Sequence, residues 1–369
     1  MQLNILQRMK TTFKLLPFIF IFALTIILFY SCKISKQIDV QSYEEIEFRK
    51  SFRIMFYNVE NLFDTIADPV KNDKDFTPEG SYRWTSFRYY KKLQDVSKVI
   101  IAVGGWELPE LIGLCEVENR VVLEDLINKT PLRTSDLNII HKESPDARGI
   151  DVALLYRESL FKVLFYDFYE VRFAFAPESK TRDILYAKGV AAGIDTLHIF
   201  VNHWPSRRGG KEVSEPRRIA VAEILRSKVD SIFKINPLSN IVIMGDFNDE
   251  PYDKSIIEVL KATDDSLKMS ETTLFNMIAA YKKKGLGTYK WQYEWNLIDQ
   301  IIVSAPLTQN RNTLYVKSDG AKIFTEDWLL EDDKSYPGKK LYRTYLGPRY
   351  IGGISDHLPV FVDLLFRNN

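Results

Sequence analysis

From Phe52 onward the chain is punctuated by short apolar, β-branched or aromatic runs, each bounded by turn residues: FRIMFYNV, LIGLCEV, IDVALLYR, FKVLFYDFYEV, DTLHIFVNHW, NIVIMGDF, LIDQIIVS and LPVFVDLLF. Runs of this length and composition read as strands. Between them, SFRYYKKLQDVSKVIIAV and EPRRIAVAEILRSKVDSIF place apolar residues three and four apart, as amphipathic helices do. Glu215 and Pro216 suit the first turn of the second helix. Strands outnumber helices, and helices recur between strands. The pattern predicts an α/β protein with two packed sheets flanked by helices. The Pro-, Gly- and Tyr-rich stretch 306–348 has no clear period and is expected to be a long surface excursion.

The 369 residues are 46% hydrophobic, enough for a sizeable core in one large or two average domains. Aromatic residues reach 13%, which suits β-rich packing. With 50 basic and 49 acidic side chains the net charge is +1, unlike a dedicated, strongly basic nucleic-acid-binding module. An enzyme that meets phosphates through a few local Arg and Lys residues stays compatible with that balance.

The N-terminus is set apart from the fold. Arg8, Lys10 and Lys14 precede the uncharged run LLPFIFIFALTIILFYS, which ends at Cys32. A basic region, an apolar region and a small residue before the cysteine have the form of an export signal over 1–32. The cysteine at that place is similar to a bacterial lipoprotein signal, in which Cys32 becomes the lipidated N-terminus. An uncleaved membrane anchor is the alternative, although the run is short for a span. Residues 33–50 read as a polar tether to a domain over 51–367. The expected location is the bacterial cell envelope, outside the cytoplasm, on its periplasmic or surface side. Cys115 is then left alone, so there is no disulfide frame, and it reads as a small core hydrophobe.

Polar residues recur at the ends of the apolar runs. Asn58 and Glu60 follow one, Glu116 and Glu118 another, His203 a third, and Asp246 and Asn248 a fourth; Asp299 begins a run, and Asp356 and His357 precede the last. Residues at strand ends gather on one rim of a sandwich, where loops carry chemistry on a rigid scaffold. Carboxylates and Asn oxygens, with only four His in the chain, form a hard donor set suited to Mg²⁺, Mn²⁺ or Ca²⁺. Glu118, Asp249 and Glu250 are expected to face solvent or cap local turns. His141 and His198 have no motif around them and are expected to be structural or exposed.

YNVEN, CEVEN, VNHWP, GDFND, IDQIIVS and GGISDHLPV, in this order, resemble the motifs of the endonuclease/exonuclease/phosphatase superfamily, the deoxyribonuclease I-like fold. YNVENLFD is further similar to the start of extracellular bacterial nucleases of that superfamily. The resemblance runs from about Phe52 to Phe366. It implies a four-layer α-β-β-α sandwich of two mainly antiparallel sheets and metal-dependent phosphoester hydrolysis. In that scheme Glu116 is the principal metal ligand and Asp356 completes the metal shell. Asn58 holds metal or the catalytic Asp, and Glu60 falls where relatives carry a second acidic residue, a candidate further ligand. Asp246 orients and deprotonates the attacking water, while Asn248 fixes the phosphate or that Asp. Asp299 orients His357, whose imidazole faces the phosphoryl group, and His203 donates to a non-bridging oxygen. Asp151 approaches the site without an assigned role.

Arg207, Arg208 and Lys211 follow His203 in a Gly-containing loop and read as a phosphate-steering patch or, equally, as a plain solvated turn, with Trp204 as a substrate-binding candidate. Tyr289, Trp291, Tyr293, Trp295 and Trp328 lie near the Asp299 and Asp356 motifs, where some could stack on unpaired bases. The expected protein is a monomeric, Mg²⁺-dependent phosphodiesterase cleaving DNA or RNA. A phospholipid, a phosphoinositide or a small phosphomonoester is the alternative substrate, because one fold hosts several. A non-catalytic surface protein is disfavoured, since every expected catalytic position carries a competent residue.

Overall fold

The structure, a computed structural model, describes residues 51–268, 270–309 and 312–367. The expected signal, tether and Cys32 lie outside the described residues. Two large sheets face each other. In spatial order, one consists of Leu314–Ile323, Val360–Phe366, Ser51–Leu62, Leu111–Val117, Asp151–Arg157 and Leu137–His141. The other runs Phe161–Tyr169, Ile184–Ala191, Asp195–His203, Asn240–Asp246, Asp299–Ser304, Leu274–Asn276 and Ala262–Thr263. Antiparallel pairs dominate. Parallel pairs join Ser51–Leu62 to Leu111–Val117, Asp195–His203 to Asn240–Asp246 and Leu274–Asn276 to Ala262–Thr263, so both sheets are mixed.

The layers follow from the two-residue period of a strand, which sends successive side chains to opposite faces. On the first strand Phe52, Ile54 and Phe56 enter the core between the sheets, with Leu154, Ile199, Val242 and Met244. Met55, Tyr57 and Val59 point the other way, under the helices Ser86–Gly104 and Arg120–Asn128. On the second sheet Phe200, Ile241 and Ile243 pack under the helix Lys211–Ile235 through Val221, Leu225 and Val229. The result is helices, sheet, sheet and helix, the expected α/β sandwich.

All eight apolar runs form strands. Five further strands of the large sheets, Leu137–His141, Ile184–Ala191, Ala262–Thr263, Leu274–Asn276 and Leu314–Ile323, were not among them. The last one shows that 306–348 is not all surface: Leu314–Ile323 pairs with the C-terminal strand, and Leu314, Val316 and Ala321 are buried between the sheets. Its period is hidden by a register shift between Val316 and Ala321. Leu329, Leu341 and Tyr345 of the same stretch are also buried, in the core beneath Ser86–Gly104. The long helix begins at Lys211, so Pro216 lies inside it rather than in its first turn.

Candidate active site

The rim expected from the sequence is produced by strand direction and register. His203 is opposite Asp246, which is opposite Asp299, across three neighbouring strands. In the other sheet Asn58 is opposite Cys115, next to Glu116, and the C-terminal strand starts just after His357. Gly245 lets two of these strands meet: a Cβ there would sit 2.5 Å from the Asn202 carbonyl oxygen. Local distortion then aims the side chains. Register shifts interrupt the pairing between Asn58 and Leu62 and between Cys115 and Val117. Glu60, Asn61, Glu116 and Asn248 all have positive φ, uncommon for residues with a Cβ and a frequent mark of functional sites.

Asp246, Asn58, His357 and Asp299 form one buried cluster, hydrogen-bonded as two pairs, Asn58 to Asp246 and His357 to Asp299. Asn58 Nδ2 donates to Asp246 Oδ2 at 3.0 Å and lies 3.4 Å from His357 Nε2. Asn58 Oδ1 accepts the Glu60 N–H at 3.0 Å, so this side chain is engaged on both ends. Asn248 N donates to Asp246 Oδ1 at 2.9 Å, and its amide reaches the Trp204 carbonyl at 3.0 Å. His357 Nδ1 bonds Asp299 Oδ2 at 2.7 Å, while Ser355 Oγ accepts the His357 N–H and donates to the Asn58 carbonyl. His203 Nε2 lies 3.6 Å from Asp246 Oδ2 and 3.9 Å from Glu116 Oε1.

Burial and charge set the protonation states. Burial, reinforced by Asp299, raises the Asp246 carboxyl to about 7 against the pull of His357. Burial lowers His357, but the charge and hydrogen bond of Asp299, with Asp246 and Asp356, outweigh it and lift the imidazole to about 10. His203 goes the other way: burial, with Arg182 and Arg148 nearby, holds it well below the usual range. One imidazole is therefore cationic and the other neutral at pH 7.

The acidic side of the site has two kinds of carboxylate. Glu116 Oε2 accepts the Asn61 N–H at 2.9 Å, whereas Oε1 meets only His203 at 3.9 Å. Asp356 gives Oδ2 to Arg343 at 2.7 Å and keeps Oδ1 3.9 Å from His357 Nε2. Each thus retains a weakly engaged oxygen, as a cation ligand requires. Glu60 does not: Oε2 accepts the Thr344 N–H at 2.7 Å and Oε1 the Arg343 Nε at 3.3 Å. Burial and Asp356 raise it to about 7, opposed by Lys92 and Arg343. Asp246, Asp299 and His357 bring ligand atoms within 4.8 Å of one another. There, however, His357 and Asp299 are already bonded to each other. Glu116 and Asp356 each keep an oxygen that is freer than the bonded oxygens of this group.

Several expected residues stand elsewhere. Trp204 is 1% exposed, edge-on to Phe247 at 4.8 Å in the core under Lys211–Ile235, so it cannot touch substrate. Arg207 is a brace rather than a free cation, donating to Asn248 O at 2.7 Å, Asn296 Oδ1 at 3.0 Å and Asp253 at 3.3 Å. Lys211 pairs with Asp253 at 2.6 Å, and Arg208 alone is exposed without a partner among the described residues. Asp249 does not face solvent: it is buried against the fully buried Arg218 at 2.7 Å and Ser255 at 2.6 Å. Glu118 is buried too, accepting the Asp64 N–H at 2.6 Å, and Glu250 pairs with Lys282 at 2.6 Å. Asp151 holds His141 at 3.1 Å. Of the aromatic residues, Trp291 and Tyr293 are exposed, Tyr289 lies 5.0 Å from the His357 ring, and Trp295 and Trp328 pack on the core.

Residues without a motif complete the site. Arg343 comes from the 306–348 stretch. Lys92, on the apolar stripe of Ser86–Gly104, is buried and bonds Thr344 Oγ1 at 2.6 Å and the Ile354 carbonyl. Arg182 clamps the end of the His203 strand through the carbonyls of His203 and Trp204, with Asp146 at 3.0 Å. A lysine on an otherwise apolar stripe was the one visible signal; the two arginines gave none.

Fold and rim together define an α/β sandwich hydrolase site. The family model for the endonuclease/exonuclease/phosphatase family matches residues 53–365, and the chain belongs to that family. Its members are hydrolases, nucleases and phosphatases among them, and depend on divalent metal. Among solved structures, the chain is similar to truncated TDP2 of Caenorhabditis elegans, with a TM-score of 0.51 at 17% identity over 86% of this chain and 98% of that one. D. rerio TDP2 complexed with a single-strand DNA product gives 0.52 at 13% identity over 86% and 99%. An endonuclease/exonuclease/phosphatase family protein of Bacteroides thetaiotaomicron gives 0.51 at 14% identity over 86% and 95%. No curated protein sequence matches.

Proposed function

We propose that the chain is a divalent-metal-dependent phosphodiesterase that cleaves nucleic acid by in-line attack of water. The observation that carries this reading is the buried cluster of the Asp246–Asn58 and His357–Asp299 pairs, beside the weakly engaged oxygens of Glu116 and Asp356. Asp246, with a carboxyl near 7, takes the proton of the attacking water, which a carboxylate of ordinary acidity does poorly. Asn58 and the Asn248 backbone fix its two oxygens. His357, kept protonated by Asp299, faces the phosphoryl group, and neutral His203 donates one N–H to a non-bridging oxygen as charge builds there. Glu116 and Asp356 would hold a divalent cation, Mg²⁺ by the hardness of the donors with Mn²⁺ or Ca²⁺ as substitutes, which when bound neutralises phosphoryl charge. Glu60 acts behind them, through Arg343.

Exposed Trp291 and Tyr293, beside the Asp299 strand, and the free Arg208 support a polynucleotide over a lipid. The solved likeness that holds a single-strand DNA product supports it too. Assaying the purified protein with Mg²⁺ on DNA, RNA, phospholipid and bis-(4-nitrophenyl) phosphate tests the reading. Cleavage of lipid alone would replace the nucleic-acid assignment, and inertness toward all four would remove the phosphodiesterase assignment.

From the sequence we also propose export and tethering through a lipidated Cys32. No helix among the described residues is long and apolar enough to cross a membrane.

A further inference from the structure

A recess of about 200 Å³ opens beside the acidic side of the site, lined by Glu60, Asn61, Phe76, Tyr82, Arg343 and Tyr345, among others. Glu60, its one carboxylate, has both oxygens engaged by Arg343 and the Thr344 N–H. Arg343 uses Nε for Glu60 and Nη2 for Asp356, which fixes the plane of the guanidinium and leaves Nη1 without a protein partner among the described residues. That nitrogen is not among the sealed, unpartnered atoms, so water reaches it. The Asn61 side-chain amide and the Tyr82 hydroxyl likewise make no protein hydrogen bond and are not sealed. Arg343 Nη1 can only donate, Asn61 and Tyr82 can donate as well as accept, and no carboxylate oxygen of the lining is uncommitted, a set that suits an acceptor-rich, anionic ligand.

The walls are rigid. Phe76 stacks between Phe63 at 4.2 Å and Tyr82 at 4.7 Å, and Tyr345 meets Tyr82 edge-on at 4.8 Å. The Tyr345 hydroxyl donates to the Tyr82 carbonyl at 2.9 Å. The recess also adjoins the reacting centre. Its residue Asn61 donates to Glu116 through its backbone, and Arg343 grips Asp356.

We propose that this recess is a subsite for a second phosphate of the substrate, the neighbour of the one cleaved, with Arg343 Nη1 as its principal donor. The inference rests on the phosphodiesterase reading and narrows it. A polynucleotide has a phosphate at each sugar and fills both positions, whereas a phospholipid with a single diester leaves Arg343 Nη1 without a partner.

The test uses thymidine 5′-(4-nitrophenyl phosphate) with and without a 3′-phosphate, and the 3′ isomer with and without a 5′-phosphate, assayed with Mg²⁺ on the full chain. For one isomer the second phosphate should lower KM about tenfold or more, as a charge-assisted hydrogen bond predicts. Arg343→Gln should abolish that ratio, Arg343→Lys should retain part of it, and Tyr82→Phe should reduce it about two- to fivefold. Because Arg343 also holds Asp356, turnover of every substrate falls in Arg343→Gln, and the ratio of KM values is the readout. Equal KM values with and without the second phosphate in the native protein overturn the proposal, as does a ratio that survives in Arg343→Gln. If no compound of the set is turned over, the phosphodiesterase reading fails and the subsite fails with it.

Discussion

His357 Nδ1 and Asp299 Oδ2 lie 2.7 Å apart in the protein interior, 58 residues apart in sequence. Asp299 is fully buried, and Thr288 Oγ1 holds its backbone N–H at 3.1 Å. The carboxylate can therefore only stabilise the imidazolium. Removing its charge in Asp299→Asn should let burial dominate His357 and lower its affinity for a proton. If protonated His357 is required, activity present below its folded value of about 10 is lost earlier as pH rises. The alkaline limb of kcat/KM should then move down by more than one pH unit in Asp299→Asn, with kcat reduced about 10²-fold or more. An unmoved limb would separate His357 from the rate.

The weakly engaged oxygens of Glu116 and Asp356 predict that EDTA abolishes turnover and that Mg²⁺ or Mn²⁺ restores it. Glu116→Gln keeps the shape and the Asn61 contact, so folding should be unchanged by thermal melting. Metal affinity measured by calorimetry should fall at least about tenfold, since losing even an outer-shell partner of a ligand costs about that much. Full turnover in excess chelator would contradict this.

Arg207 and Arg208 should separate cleanly. Arg207 braces the Asn248 carbonyl at 2.7 Å, so Arg207→Ala should lower kcat even on bis-(4-nitrophenyl) phosphate and cost about 1–3 kcal/mol of stability. Arg208→Ala should leave the small diester unchanged and flatten the salt dependence of polynucleotide KM, since each lost phosphate contact removes about one released counterion. The opposite pattern would restore Arg207 to the substrate surface.

His198 predicts a pH dependence of stability. It is buried, bonds the Tyr186 hydroxyl at 2.7 Å, and is lowered by burial from 6.5 to about 4. The unfolded chain binds a proton below 6.5 that the folded chain refuses until about 4, so stability is lost as pH falls through this window. The loss is on the order of 2–3 kcal/mol. His198→Asn should flatten urea stability between pH 7 and pH 4; an unchanged slope would mean that other groups carry it.

Cys32→Ala should abolish fatty-acid labelling and partition of the mature protein into detergent. A soluble product that starts beyond residue 33 would refute lipidation and leave export standing.

The strands were legible because a half-buried sheet imposes alternation, and burying Phe56 beside Met55 on opposite faces leaves a two-residue signature. The rim was legible because strand direction alone sends His203, Asp246 and Asp299 to one edge. Leu314–Ile323 escaped because its bulge breaks that alternation. What a polar side chain does at the rim was settled only by packing. Asp249 and Asp246 are three residues apart, yet one meets Arg218 from the far helix and the other Asn58 from the opposite sheet. Arg207 and Arg208 are adjacent, yet one is consumed by three acceptors and the other is free. Local sequence determines which residues reach the edge, because periodicity and turns act over a few positions. Only the tertiary structure decides which charges are paired, because a buried ion takes whichever partner long-range packing brings within about 3 Å.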